Sequence, residues 1–275
     1  KNGNLQHEYS KKFEMQKQTF LKTDYLGILI DENIDIVKKS PLRFKALRKA
    51  INYGFDRVKM VKFFRNNIGF PATAGFIPNG LPSFNDKIVK GYTYDPEKVR
   101  QLLIEAGYPD GKGMPEITLH TTDNYLEQTE FIQSQLADNN INVKISVDKP
   151  AVLRQAVASC EYNFFKKSWV GDYADEENFM SLFYSKNFAP VGSNYTHYKN
   201  PEFDVLFEKV IREQNREVKN VLYQQMDQML IDDAPIVPLY YDQVIRLVHK
   251  NIKNLTTNPM NLLNLKKVKK ELKKD

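Results

Sequence analysis

Between Ile117 and Trp169 the spacing of apolar residues switches period four times, and no other stretch narrows the fold so sharply. Ile117–Thr122 is an apolar run of strand length, and Leu126 to Leu136 carries Phe131 and Ile132 as a helix would. Val143, Ile145 and Val147 then alternate with Lys144, Ser146 and Asp148, the mark of a half-buried strand. Pro150 opens a helix through Leu153 and Val157, and Tyr162–Trp169 is a third strand. Strand, helix, strand, helix, strand with short connections is a βαβαβ unit, and right-handed crossovers make its strands parallel. The fold class is therefore α/β.

The third strand runs into Ser168-Trp169-Val170-Gly171-Asp172-Tyr173-Ala174-Asp175, which holds the only tryptophan and two carboxylates. Open α/β sheets form ligand crevices at the carboxyl ends of their strands. On the residues alone, Asp172 and Asp175 read as a ligand site, as an acid/base pair, or as turn and helix caps. Asp175 is the better cap, because it sits just before a helix expected from Glu176 to Tyr184.

The flanking segments are less regular. Residues 1–24 are polar and lysine-rich without a period, so an irregular or short helical lead-in is expected, followed by a buried strand at Tyr25–Ile30. Helix starts are marked at Ser40-Pro41, Asp56, Asp95-Pro96, Asn200-Pro201 and Asn215, where a side-chain oxygen can cap free N–H groups. From Gly69 to Gly91 the many prolines and glycines predict a long extended connection, either functional or pinned by Phe76 and Phe84. Pro235 and Pro238 argue that the segment through His249 is an edge or crossover strand.

Composition removes several classes of function. Of the net charge of +6, the last ten residues account for +4, so no basic face for nucleic acid is implied. Cys160 is alone, and His7, His120, His197 and His249 stand too far apart in sequence to suggest a metal site. No catalytic nucleophile–base set, cofactor motif or apolar run near the ~20 residues of a membrane span is evident.

With these residues placed, the order of motifs resembles the dipeptide and oligopeptide receptors of ABC transporters, the bacterial extracellular solute-binding protein family 5. Arg48-Lys49-Ala50-Ile51-Asn52-Tyr53 with Phe55-Asp56-Arg57 is similar to the family's "R-x-A-I-x-Y-A-I-D-R" helix pair. Pro71 to Pro82 resembles its "P-A-x-G-x-I-P" linker, and Tyr94 to Tyr108 its "Y-D-P-E-K-A…L-E-A-G-Y" helix. Trp169 to Asp175 resembles "W-x-x-D-Y-x-D", Asn200 to Leu206 "N-P-x-x-D-x-L", and Ala234 to Tyr241 "x-P-I-I-P-L-Y-Y". The likeness runs from about Tyr25 to Leu265.

The resemblance implies a type II periplasmic-binding-protein-like fold, represented mainly by the second ligand-binding lobe. Family members are roughly twice as long, so a C-terminal fragment or processed product is expected. Its divisions are a lead-in and crossover strand at 1–35, lobe II at 36–235, and a return strand with a lysine-rich tail at 236–275. Tyr25–Ile30 and Ile236–His249 are expected to lead towards a missing lobe and, without their sheet partners, to fold back on this one or to contact neighbouring copies. The implied function is non-enzymatic: a monomer captures a short peptide or other small solute and delivers it to an ABC permease. The implied location is periplasmic, or lipid-anchored at the outer face of the cytoplasmic membrane. The same fold in relatives takes nickel complexes, haem, glutathione or opines, and a carboxylate-pair hydrolase is the rival of a different class. The implied ligand contacts are Asp172 to the peptide α-ammonium, the backbone of Ser168, Trp169 and Val170 to the peptide chain, and Lys166 to a carboxylate. Lysine there keeps the charge of the arginine found in some relatives but loses its bidentate fork. Cys160 stands where a glycine is common, and a buried structural thiol is expected.

Overall fold

The computed structural model describes residues 2–271; Lys1 and 272–275, part of the lysine-rich end, lie outside the described residues. Its centre is a mixed six-stranded sheet. The strands are β1 (Phe13–Ile28), β2 (Phe70–Pro71), β3 (Ile117–Thr121), β4 (Val143–Val147), β5 (Phe164–Val170) and β6 (Ile236–His249). Their order across the sheet is β2-β6-β1-β5-β3-β4. The βαβαβ unit is as expected: β3 pairs in parallel with both β4 and β5. Its helices, Leu126–Ala137 and Pro150–Ala158, pack on different apolar clusters, one around Leu26, Ile132, Leu136 and Phe164 and the other around Leu153, Val157 and Phe165.

The sheet departs from the sequence reading in its antiparallel half. The lead-in is neither irregular nor helical beyond a short turn at His7–Ser10, because β1 begins at Phe13 and runs for 16 residues. Nor is β6 an edge strand, since it lies between β1 and β2. Pro238 is tolerated because β2 reaches only Tyr240 and Tyr241, and because the β1–β6 register slips beside it, between Asp24 and Tyr25. The strands expected to lack partners have one another: β1 and β6 pair from Phe13–His249 to Gly27–Ile236. Beyond Thr19 and Gln243 they continue as a two-stranded ribbon.

The motif residues turn out to be fasteners. Buried Arg48 donates to the carbonyls of Leu42, Arg43, Asp233 and Ala234, closing the C-terminus of the helix Arg216–Asp233. Buried Arg57 donates to the Pro238 and Asn52 carbonyls and to Asn52 Oδ1, while the Asn52 amide donates to Ile236 O. The helix pair is thereby bolted to β6, with carbonyls in place of carboxylate partners. The Pro/Gly connection is pinned through Phe76, Phe84 and buried Asp227. Asp227 accepts from the N–H groups of Phe76 at 2.6 Å and Ile77 at 3.3 Å. A β-carbon at Gly75 would lie 2.0 Å from that carboxylate, so the motif's glycine is a steric requirement. Asp56, Asp95, Asn200 and Asn215 cap their helices as expected. Ser40 caps a 3-10 turn, Pro41–Arg43, ahead of the helix Lys45–Tyr53.

Candidate ligand-binding site

β5 is the strand on which the site is built. Along one side it pairs with β1 over its full length, from Phe164–Ile28 to Val170–Lys22. Along the other it meets β3 only at Phe164 and Phe165, because β3 stops at Thr121. Residues Lys166–Val170 therefore present one free backbone edge. A cavity of about 270 Å³ lies beside Lys166–Ser168, bounded by Thr122, Tyr125 and the helix that starts at Pro150.

Directly opposed residues of an antiparallel pair share a face. Lys22, Asp24, Lys166 and Ser168 consequently lie on one face of the sheet, and Phe165, Lys167 and Trp169 on the other. On the first face Lys166 Nζ donates to Asp24 Oδ1 at 2.6 Å and to the Lys167 carbonyl at 2.8 Å, and lies 3.9 Å from the Tyr125 ring centroid. Lys22 reaches the other Asp24 oxygen at 2.9 Å and Asp242 at 3.0 Å, and Arg65 also binds Asp242. Burial disfavours the Asp24 carboxylate, but Lys166 and Lys22 outweigh it and hold its pKa below the usual range. Burial lowers Lys166 in turn, against the pull of Asp24. Lys166 thus sits where the sequence placed it, with its ammonium already engaged by a carboxylate 142 residues away in the chain.

At the end of β5 the chain turns. Gly171 N–H donates to the Leu21 carbonyl at 2.8 Å, fastening the turn to β1. Asn178 Oδ1 accepts from Trp169 Nε1 at 2.9 Å and from Asp172 N–H at 3.2 Å. The sequence reading missed this residue. The two aspartates separate in role. Asp175 accepts from Glu177 N–H at 2.9 Å and the Tyr223 hydroxyl at 3.2 Å, with Lys219 at 3.6 Å, so its carboxylate orders the turn and helix start. Asp172 is exposed, and its carboxylate meets no donor or cation among the described residues. Val170 is 43% exposed, whereas Ser168 and Trp169 are half-buried.

A second cluster unites residues that are remote in sequence. Cys160, at a left-handed φ of 58°, places Sγ 3.3 Å from His197 Nε2, and His197 Nδ1 is 3.3 Å from Asp31. The Ala189 carbonyl, 2.9 Å from Nε2, can only accept, so that nitrogen directs its proton there. Burial and the nearby Asp31 push the thiol pKa up, opposite to an activated nucleophile. The thiol is half-buried, not fully buried. No group of three or more His, Cys, Asp or Glu suited to a metal ion occurs among the described residues.

With this geometry in place the relatives can be set beside it. The family model described as bacterial extracellular solute-binding proteins, family 5 Middle, matches residues 4–190. The chain belongs to that family. A curated relative, the dipeptide-binding protein of Escherichia coli K12, is 27% identical over 229 residues, 82% of this chain and 42% of its own length. Heme-binding protein A of Haemophilus influenzae is 28% identical over 227 residues, 81% of this chain and 41% of its own. The solved structure of HbpA2 from Haemophilus parasuis superposes with a TM-score of 0.85 at 22% identity, covering 96% of this chain and 52% of that one. This family-5 chain therefore has the type II periplasmic-binding-protein fold over nearly its whole length, and spans about half the length, or less, of the relatives it matches.

Proposed function

We propose that the chain is the second ligand lobe of a peptide receptor that serves an ABC permease at the outer face of the cytoplasmic membrane. Asp172 takes the peptide's α-ammonium, and the free edge of β5 at Ser168–Val170 takes its backbone as an added strand. The supporting observation is a strand edge and, at its end, a carboxylate that both lack a partner among the described residues. An added strand gains affinity through main-chain hydrogen bonds, and an exposed carboxylate awaiting an ammonium adds a charge-assisted bond. Residues 36–235 form the lobe, with 1–35 as the lead-in and crossover strand and 236–275 as the return strand followed by the lysine-rich tail. Capture is by closure of two lobes, the receptor works as a monomer, and the role is binding without turnover.

The test is calorimetry of tri-alanine against the full-length protein. Wild type binds, and either Asp172→Asn or N-acetylation of the peptide weakens binding by about 10- to 100-fold, the size of one charge-assisted bond. The combination of both changes adds little to either alone. Equal binding of the free and acetylated peptides would overturn the role of Asp172.

A further inference from the structure

The cavity beside β5 contains charge that the protein itself leaves unbalanced. On one face of the sheet, Lys166 is neutralised by Asp24. On the opposite face Lys167 and Arg154 border the same cavity, and neither meets a carboxylate among the described residues. Lys167 instead lays its ammonium 3.8 Å from the ring centroid of Tyr195. Burial, followed by repulsion from Arg154 and Lys166, brings the Lys167 pKa down to about 8. A partly desolvated ammonium beside a like charge, with no carboxylate at hand among the described residues, is disfavoured until an anion arrives.

The geometry also says which part of a ligand arrives there. A strand laid on the free edge of β5 projects its side chains alternately to the two faces of the sheet, while its ends stay in the plane. Lys167 belongs to the face covered by the helix Pro150–Ala158, whose Leu153 and Val157 pack on Phe165, two residues before it. Arg154 is exposed on that same helix and lines the same cavity. The corner is therefore reached by a side chain standing off the added strand: apolar at its walls, cationic at its mouth.

We propose that Arg154 and Lys167 form a subsite for an acidic side chain, making this a receptor with a preference for peptides that carry glutamate or aspartate. The inference rests on the peptide-receptor reading above. Tri-peptides with one glutamate among alanines, at each position in turn, are compared with their glutamine counterparts by calorimetry on the full-length protein. At one position glutamate binds about tenfold or more tighter than glutamine, as an added charge-assisted hydrogen bond requires. In Arg154→Gln and Lys167→Gln that glutamate-to-glutamine ratio falls towards one. Binding of tri-alanine with no glutamate preference at any position would overturn this inference while leaving the reading beneath it intact. Failure of every peptide to bind would remove both. If the two variants instead abolish the difference between tri-alanine and its C-terminal amide, the cations hold the chain terminus and the side-chain subsite is wrong.

Discussion

The indole N–H of Trp169 donates to the side-chain oxygen of Asn178 at 2.9 Å, and the same oxygen holds the backbone N–H of Asp172 at 3.2 Å. One buried amide therefore sets both the ring beside the free edge and the carboxylate beyond it. Because Trp169 is the only tryptophan, this contact can be watched directly. Asn178→Ala is expected to shift the emission maximum and to cost about 1–3 kcal/mol, the loss from orphaning buried polar groups. An unchanged spectrum at full folding would show that the ring is positioned by packing alone.

The two aspartates of the turn are expected to part company in a melting experiment. Asp172→Asn removes a charge that meets no partner among the described residues, so stability should stay within about 0.5 kcal/mol of wild type. Asp175→Ala strips an acceptor from Glu177 N–H and from Tyr223, and should cost about 1–2 kcal/mol. Equal melting temperatures for the two variants would mean that the Asp175 contacts contribute no net stability.

Asp24 is bracketed by two ammonium groups, which makes its removal asymmetric. Asp24→Asn leaves Lys166 buried without a counter-charge, and about 3–5 kcal/mol of destabilisation is expected. Lys166→Met leaves Asp24 still paired with Lys22 at 2.9 Å, so its cost should be distinctly smaller. Denaturant titration of the two variants decides the order, and the reverse order would contradict it.

Asp227 supplies a pH signature. Burial, partly offset by its two backbone hydrogen bonds, raises its pKa from 3.8 to about 7. The group thus stays protonated in the folded chain while the unfolded chain ionises. Its contribution is fully present below pH 3.8 and lost as pH rises towards 7. Relative to Asp227→Asn, the wild type should lose stability across that window, by on the order of 4 kcal/mol at most. Parallel stability curves for the two proteins from pH 4 to 8 would remove Asp227 as the cause.

The parts of this structure that were legible in the sequence are those whose physics is local. The caps at Asp56, Asp95, Asn200 and Asn215 and the strand at Val143–Val147 depend on neighbours within a few residues, although the expected alternation of burial holds only through Ile145 and Val147 is exposed. β1 was hidden because its first half is one strand of a two-stranded ribbon with no fully buried face, so Phe13–Thr19 carries no period to read. The Lys166–Asp24 pair, the Asn178 clip and the Arg154–Lys167 corner arise from strand register and from a helix crossing the sheet, which no spacing encodes. Arg48 and Arg57 were visible as motif letters, but their use as carbonyl clamps emerged only once β6 lay beneath them.

The ribbon formed by Phe13–Thr19 and Gln243–His249 can be considered as a mechanical part. Its seven residue pairs extend roughly 24 Å at ~3.4 Å per residue. At its root the register slips, so that Phe20, Leu21 and Lys22 of β1 stand opposite Asp242 alone, and Lys22 and Asp242 meet there as an ion pair. Leu21, inside that slip, is also the residue whose carbonyl fastens the Gly171 turn. A pivot of about 10° at such a root sweeps the far end through about 4 Å over that ~24 Å arm. The root of that arm is therefore also an anchor of the turn carrying Asp172: the Leu21 carbonyl holds Gly171 N–H, beside the β1–β5 pairs that hold the rest of β5.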